Sequence, residues 1–131
     1  MKPEAAAFRR QADVLLARAD TMLLAGLNED AARTAYLACF HVAQALIYQR
    51  TDKTAKTHRG VQAGFLLLTR DDPRVDPALR RFLSEAYEFK SVADYGTGPD
   101  AVTSIAEAQN AVATARRFVG AFGALVASHG P

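Results

Sequence analysis

Residues 28–48, which read NEDAARTAYLACFHVAQALIY, are the most informative segment of the chain. Apolar side chains occupy nearly every side of a helix drawn through it: Ala32, Ala35, Tyr36, Cys39, Phe40, Val42, Ala43, Leu46 and Ile47. A helix that is apolar all round is a buried helix, so this segment is predicted to be central. Asn28 is a suitable N-cap, and Glu29 and Asp30 follow where the helix dipole favours negative charge.

The spacing of apolar residues predicts helices on both sides of this segment. The first runs from about Glu4 to Ala25 and ends at Gly26, a plausible C-cap. A shorter helix begins after Thr57, whose hydroxyl can cap it. These connections are short, which favours antiparallel neighbours.

Two more helices follow in the second half of the chain. The fourth begins at Asp76-Pro77, a cap followed by a first-turn proline, and stops at Gly96. The fifth opens near Thr103, or at Ser104 with Glu107 completing a capping box.

The sequence therefore predicts an all-α fold. No window alternates as a strand does. We expect an up-and-down antiparallel bundle of four long helices plus one short helix, forming a single domain over residues 1–131. The regular apolar stripes could also leave one face for a partner chain.

Composition indicates a packed protein. Half of the 131 residues are apolar and 23% are charged, which argues against disorder. No stretch has the length of a signal peptide's apolar region or of a membrane span, so the sequence predicts a cytoplasmic protein. The single cysteine, Cys39, is predicted to be a small core residue.

The net charge of +2 makes no general case for nucleic acid, but one segment is locally basic. Residues 50–59 read RTDKTAKTHR. Its cations adjoin the exposed amides at the start of the third helix, which makes the segment a candidate phosphate-binding rim. The candidate nucleotide- or RNA-binding residues are Lys53, Lys56, His58 and Arg59. A solvated loop is the competing interpretation.

Several classes of site have no counterpart in the sequence. Phosphate loops, dinucleotide fingerprints, zinc clusters and serine-hydrolase elbows are missing. His41, His58 and His129 lie far apart and lack metal-ligand spacing. Neither a metal nor a cofactor is therefore expected. His41 is predicted to be a hydrogen-bonded core histidine and His129 a solvated tail residue.

The end of the fourth helix, residues 87–96 (YEFKSVADYG), carries the strongest candidate for a site. Lys90 and Asp94 lie one turn apart on a shared face, and Tyr95 precedes the helix-terminating Gly96. These residues could form a surface ion pair with a tyrosine packed over the helix end. They could equally form a functional site, and the residues alone leave both interpretations open.

Three stretches together resemble the HEPN family (higher eukaryotes and prokaryotes nucleotide-binding), in its small stand-alone prokaryotic branch. They are residues 32–43 (ARTAYLACFHVA), residues 56–61 (KTHRGV) with Phe65, and residues 90–95 (KSVADY). The resemblance covers roughly residues 5–126 in matching order. It implies a bundle of four to five helices that is usually a homodimer.

The resemblance also implies a function. Many HEPN proteins are metal-independent ribonucleases or toxins, and many are encoded beside a minimal nucleotidyltransferase that acts as antitoxin. Active members carry an arginine followed four to six residues later by a histidine, and the small branch usually has arginine, three residues, then Asp-Tyr. By this resemblance the candidate catalytic residues are Lys90, Asp94 and Tyr95, and Tyr95 is a candidate for nucleotide transfer.

This chain departs from both patterns, because Lys90 stands in place of the arginine and Asp94 in place of a histidine. An aspartate of ordinary pKa is a poor general acid, and lysine lacks the bidentate grip of arginine. Three functions follow as alternatives. They are a dimeric RNA- or nucleotide-binding toxin-like or accessory subunit of a nucleotidyltransferase module, a ribonuclease in which His41 or His58 supplies the base, and a purely structural helical dimer.

Overall fold

The computed structural model describes residues 1–96 and 102–128, and these residues form five α-helices and no strand. In chain order the helices are α1 (Pro3–Leu24), α2 (Asn28–Thr51), α3 (His58–Thr69), α4 (Pro77–Tyr95) and α5 (Ile105–Ala127). The predicted all-helical bundle of four long helices and one short helix is confirmed. His129 lies outside the described residues.

The α2 helix is central, as predicted, because each of the other four helices packs against it. Its buried residues lie on all sides of the helix: Ala31, Ala32, Thr34, Ala35, Tyr36, Ala38, Cys39, Phe40, Val42, Ala43, Gln44, Ala45, Leu46 and Ile47. Cys39 is fully buried, and burial raises the pKa of its thiol. The prediction that Cys39 is a core residue is confirmed.

Three of the predicted helix caps are present. Thr57 accepts a hydrogen bond from the backbone of Gly60 at 2.9 Å, and Asp76 accepts one from Ala78 at 2.9 Å. Ser104 and Glu107 form the reciprocal capping box, with distances of 3.0 and 3.2 Å. These caps satisfy amides that a helix start leaves unpaired.

The prediction of Asn28 as N-cap is wrong. Asn28 is already helical, and Leu27 holds the cap position without a side-chain hydrogen bond. The reason lies in the preceding turn: Gly26 takes a left-handed φ of 76°, and the Leu27 amide donates to the Met22 carbonyl at 2.9 Å. This tight turn starts α2 one residue early, and the Glu29 carboxylate accepts a hydrogen bond from the Thr103 amide at 3.0 Å.

The α2 helix also ends later than the expected Tyr48. It continues to Thr51 and stops at Asp52, whose φ is 59°. Arg50 therefore lies in the last turn of α2, where its guanidinium donates to the Leu125 carbonyl at 3.2 Å. The non-helical part of the basic segment is shorter than predicted, comprising residues 52–57.

Within the described parts of the chain, no helix is both long and apolar enough to cross a membrane.

The connection between α3 and α4 is held by Asp72, whose side chain is only 1% exposed. Arg74 donates to it from its guanidinium at 2.7 and 3.0 Å and from its backbone amide at 2.9 Å. These hydrogen bonds, those of the guanidinium first, lower the pKa of the Asp72 carboxyl to about 2. The ionised carboxylate is thus part of the folded structure.

We predict that Asp72 makes the free energy of unfolding depend on pH in the acidic range. A carboxyl whose pKa is lowered on folding stabilises the fold above its ordinary pKa of 3.8, and that contribution disappears as the pH falls toward 2. Asp72→Asn should lower the free energy of unfolding at pH 7 by about 1 kcal/mol, a discounted value because Arg74 is solvent-screened. The difference from wild type should shrink at pH 2, as measured by urea unfolding.

The neighbouring Asp71 provides the control. Its side chain is 91% exposed and lies 3.5 Å from Arg70, so Asp71→Asn should leave stability nearly unchanged at both pH values. Equal losses for the two variants would contradict the assignment.

Candidate functional site

The Asp94 carboxylate joins α4 to α2. Lys90, one turn earlier on α4, donates to its Oδ2 at 2.8 Å, and Arg33 on α2 donates from Nε to its Oδ1 at 2.7 Å. The sequence predicted the local pair but did not predict Arg33, which is 61 residues away from Asp94. The pair is therefore part of a three-residue network that connects two helices.

This network fixes the charge states of its members. The hydrogen bond from Lys90, and after it that from Arg33, lowers the pKa of Asp94. The same hydrogen bond raises the pKa of Lys90. At neutral pH the network therefore holds two cations and one carboxylate. An aspartate held ionised in this way cannot serve as a general acid, in agreement with the sequence argument.

His58, the first residue of α3, lies among aromatic rings from α2 and α4. Its Nδ1 and the Tyr36 hydroxyl share a hydrogen bond of 2.7 Å. The imidazole centroid is 4.8 Å from that of Phe40 and 5.2 Å from that of Tyr87. Tyr36 is fully buried, and burial raises its pKa, so the phenol stays protonated. The Nε2 atom of His58 has no hydrogen-bond partner among residues 1–96 and 102–128.

The His58 group and the Asp94 network form one site. Partial burial is the main cause that lowers the pKa of His58; the charges of Lys90 and Arg33 lower it further, while the Asp94 charge opposes them. His58 is therefore neutral at pH 7. Three helices meet here, and we call the group Arg33, Tyr36, His58, Tyr87, Lys90 and Asp94 the three-helix site.

The sequence carries a signal for this site in the spacing of two helical faces. Arg33, Tyr36 and Phe40 follow the spacing i, i+3, i+7, which places them on one face of α2. Residues 87, 90 and 94 repeat the same spacing on α4. Each of these two faces carries both polar and aromatic side chains, a pattern that favours contact between α2 and α4 through these faces. The sequence carries no comparable signal for the position of His58 between α2 and α4.

Tyr95 is the most exposed of the candidate catalytic residues, at 74%. It is the last residue of α4, and the Lys90 ammonium lies 5.5 Å from the centre of its ring. This separation is within the range of a cation–π contact. Tyr95 thus presents its ring to solvent at the edge of the three-helix site.

The basic residues beside His58 have a different environment. Lys53, Lys56 and Arg59 are exposed, and within the described chain they form no ion pair. Among the described residues, no hydrogen bond or ion pair joins Lys53 or Lys56 to the three-helix site. The candidate RNA-binding residues are thus divided: His58 lies in the three-helix site, and the cations lie outside it.

His41 is linked through Gln44 to the loop that carries Lys53 and Lys56. Its Nδ1 and the Gln44 Oε1 share a hydrogen bond of 2.7 Å, and the Gln44 amide donates to the Ala55 carbonyl at 2.8 Å. His41 is half-buried against Phe8 and Phe40. The predicted hydrogen bond of His41 is present, but the residue is half-buried and is not part of the core. Of the two histidines considered as a base, His58 is the one beside Lys90.

Comparison with known proteins identifies a family and a fold. A model of the HEPN domain matches residues 5–125 of this chain. Among solved structures, the chain is similar to the crystal structure of TT1696 from Thermus thermophilus, with a TM-score of 0.76 and 20% sequence identity. That alignment covers 94% of this chain and 98% of the other. No curated protein matches the chain.

We predict that the His58 pKa shifts in opposite directions when the charges of Lys90 and Asp94 are removed. Lys90→Met should raise it, because a cation that disfavours the imidazolium is gone. Asp94→Asn should lower it, because the carboxylate favours the imidazolium. An NMR titration of the histidine ring measures both shifts.

Glu88→Gln is the matched control, since it removes a carboxylate from an exposed position of the same helix. It should leave the His58 titration as in wild type. Shifts of the same sign in the Lys90 and Asp94 variants would show that His58 is not coupled to the network.

Proposed function

We propose that this chain, which belongs to the HEPN domain family, binds RNA or a nucleotide at the three-helix site. The observation that carries the proposal is the meeting of two cations, Arg33 and Lys90, with a neutral histidine and partly exposed tyrosine rings. A nucleotide needs both kinds of contact. Its phosphate needs cationic donors, and its base needs a flat apolar or aromatic surface.

The parts of the site have distinct roles in this proposal. Lys90 and Arg33 attract the phosphate, while Asp94 holds both cations in place until a ligand arrives and can accept a hydrogen bond from a ribose hydroxyl. Tyr87 and Tyr95 offer rings for stacking, and Tyr95 has the greater exposed fraction. The exposed cations Lys53, Lys56 and Arg59 form an outer rim that attracts the polyanion before it reaches the site.

Association with other chains is also part of the proposal. The family resemblance supports a homodimer and a minimal nucleotidyltransferase partner. In this proposal residues 1–131 form one domain, and the protein acts as a toxin-like component or as an accessory subunit. The exposure of Tyr95 at the end of α4 is what a target of nucleotidyl transfer requires. Several apolar side chains near this end of the bundle are exposed and could be covered by a second copy: Leu24, Leu27, Val102 and Ile105.

Binding at the site is tested by Lys90→Ala and Tyr95→Phe. We expect Lys90→Ala to weaken binding of AMP and of short single-stranded RNA about tenfold or more, because a charge-assisted contact to phosphate is lost. Tyr95→Phe keeps the ring, so it should abolish modification by a nucleotidyltransferase while leaving stacking intact. Binding is measured by calorimetry and modification by intact mass.

Thermal unfolding separates this function from a structural role. Tyr95 is 74% exposed at the end of α4, so Tyr95→Phe should change the melting temperature little. The Lys90 side chain is only 14% exposed and is paired with Asp94, so Lys90→Ala should lower the melting temperature modestly as well as weaken binding. Variants that lose stability but retain wild-type ligand binding would show that these residues only fasten the end of α4.

A second candidate function, a metal-independent ribonuclease, is favoured by the position of His58. Its lowered pKa keeps the imidazole neutral, which allows it to accept the proton of a ribose 2′-hydroxyl. The 2′-oxygen then attacks the adjacent phosphorus and forms a cyclic phosphate. The bond to the 5′-oxygen breaks, that oxygen takes a proton from water, and the resulting hydroxide takes the proton held by His58, which restores the neutral imidazole. Lys90 and Arg33 stabilise the added negative charge.

If this second function operates, wild-type protein cleaves RNA in the presence of EDTA and leaves 2′,3′-cyclic phosphate ends. His58→Gln should reduce cleavage by at least about a hundredfold, in line with loss of a general base, while RNA binding persists. His41→Gln is the matched control and should cleave as wild type does. Binding without any cleavage by wild-type protein would leave the site as a binding site alone.

A further inference from the structure

A groove of about 390 Å³ lies between α3 and α4, on a surface that the three-helix site does not use. Three arginines line it, Arg59 from α3 and Arg80 and Arg81 from α4. Apolar side chains complete its wall, among them Phe65, Leu66 and Leu83. No carboxylate is among its described lining residues.

The positive charge of the groove is not compensated within the described chain. Arg59, Arg80 and Arg81 take part in no ion pair among residues 1–96 and 102–128. Arg80 is held in place because its guanidinium donates to the carbonyls of Thr69 and Arg70 at 3.4 and 3.3 Å, at the end of α3. Guanidinium groups gathered without acidic partners create a potential that favours an anionic ligand, and their planar donors suit phosphate.

The apolar wall restricts the class of anion. Leu66 is 50% exposed, so part of the groove surface is apolar and reachable by a ligand. A small inorganic anion would leave this surface bare. A ligand that alternates charged groups with flat, weakly polar ones would cover both kinds of surface, as single-stranded RNA does with its phosphates and bases.

The groove continues from the three-helix site. Gln62 and Arg59 line the groove and belong to α3, the helix whose first residue is His58. Arg59 directly follows His58 in the first turn of α3. The start of α3 therefore contributes one residue to the three-helix site and the next to the groove.

We propose that the α3–α4 groove is a second subsite, which holds a neighbouring nucleotide of a single-stranded RNA whose first phosphate is bound by Lys90 and Arg33. This inference rests on the proposed function, and it makes the ligand an oligonucleotide instead of a free nucleotide. Arg59, Arg80 and Arg81 bind its backbone, and Leu66 contacts a base.

The experiment uses fluorescence anisotropy with a labelled oligouridylate of about eight nucleotides and, separately, UMP binding by calorimetry. Arg81→Ala should weaken RNA binding about threefold to tenfold, because one charged contact to phosphate is lost. It should also flatten the plot of log affinity against log salt by about 0.7, the value for one phosphate contact on a single strand. Leu66→Ala should weaken RNA binding without changing that slope, because it removes no charge. UMP binding should be unchanged in both variants.

Each variant has a matched control. Arg18→Ala removes an exposed cation from α1, a helix that packs on α2 and α5. Leu67→Ala removes a side chain that is 63% exposed on the same helix as Leu66 but does not line the groove. Both controls should bind RNA as wild type does, and thermal unfolding verifies that all four variants are folded.

The outcomes separate this inference from the function on which it rests. If Arg81→Ala and Leu66→Ala bind RNA as their controls do, while Lys90→Ala loses binding, the groove is not a subsite and the proposed function stands. If wild-type protein binds neither UMP nor oligouridylate, both proposals fail. If a polyglutamate peptide of matched charge displaces the RNA at equal concentration, the groove selects charge alone and the assignment to RNA is overturned.

Discussion

The burial of α2 by all four other helices is the constraint on which the rest of the structure depends. A helix surrounded on every side must use small or apolar residues along most of its length, and alanines are frequent among its buried positions. Polar groups are tolerated there only where a neighbouring helix supplies a partner. Arg33 and Tyr36 meet that condition, since Asp94 on α4 and His58 on α3 bond to them. The site therefore forms where polar side chains of α2 find hydrogen-bond partners on α3 and α4.

The hydrogen-bonded carboxylates Asp72 and Asp94 serve different purposes. Asp72 is buried, receives several hydrogen bonds from a single arginine, and fixes the connection between α3 and α4. Asp94 is more accessible and is shared by two cations from different helices. The side chains of the Asp94 network are 14 to 36% exposed, so part of the network can be reached from solvent. Its arrangement suits a ligand that can replace the carboxylate as the partner of Lys90 and Arg33.

Shared fold and local chemistry must be considered separately in this family. The chain has the fold of TT1696 at 20% identity, and a fold by itself does not determine a reaction. The relevant differences are local, since Lys90 and Asp94 stand where the family resemblance leads one to expect arginine and histidine. The position of His58 offers a physical way in which proton transfer could be supplied from a different helix. In the proposed function, cleavage in addition to binding rests on that one imidazole more than on the altered motif.

The sequence by itself determined what depends on neighbours along the chain. It predicted five helices, the caps at Thr57, Asp76 and Ser104, and the one-turn spacing of Lys90 and Asp94, because backbone hydrogen bonds fix helical geometry over three or four residues. It misplaced the start of α2, where the turn at Gly26 and Leu27 replaced a side-chain cap. The contacts of Arg33 with Asp94 and of His58 with Tyr36, and the meeting of Arg59 with Arg80 and Arg81 in one groove, became visible only in the folded structure. These contacts depend on the register between helices, which the packing of many distant side chains sets together and which no local spacing encodes.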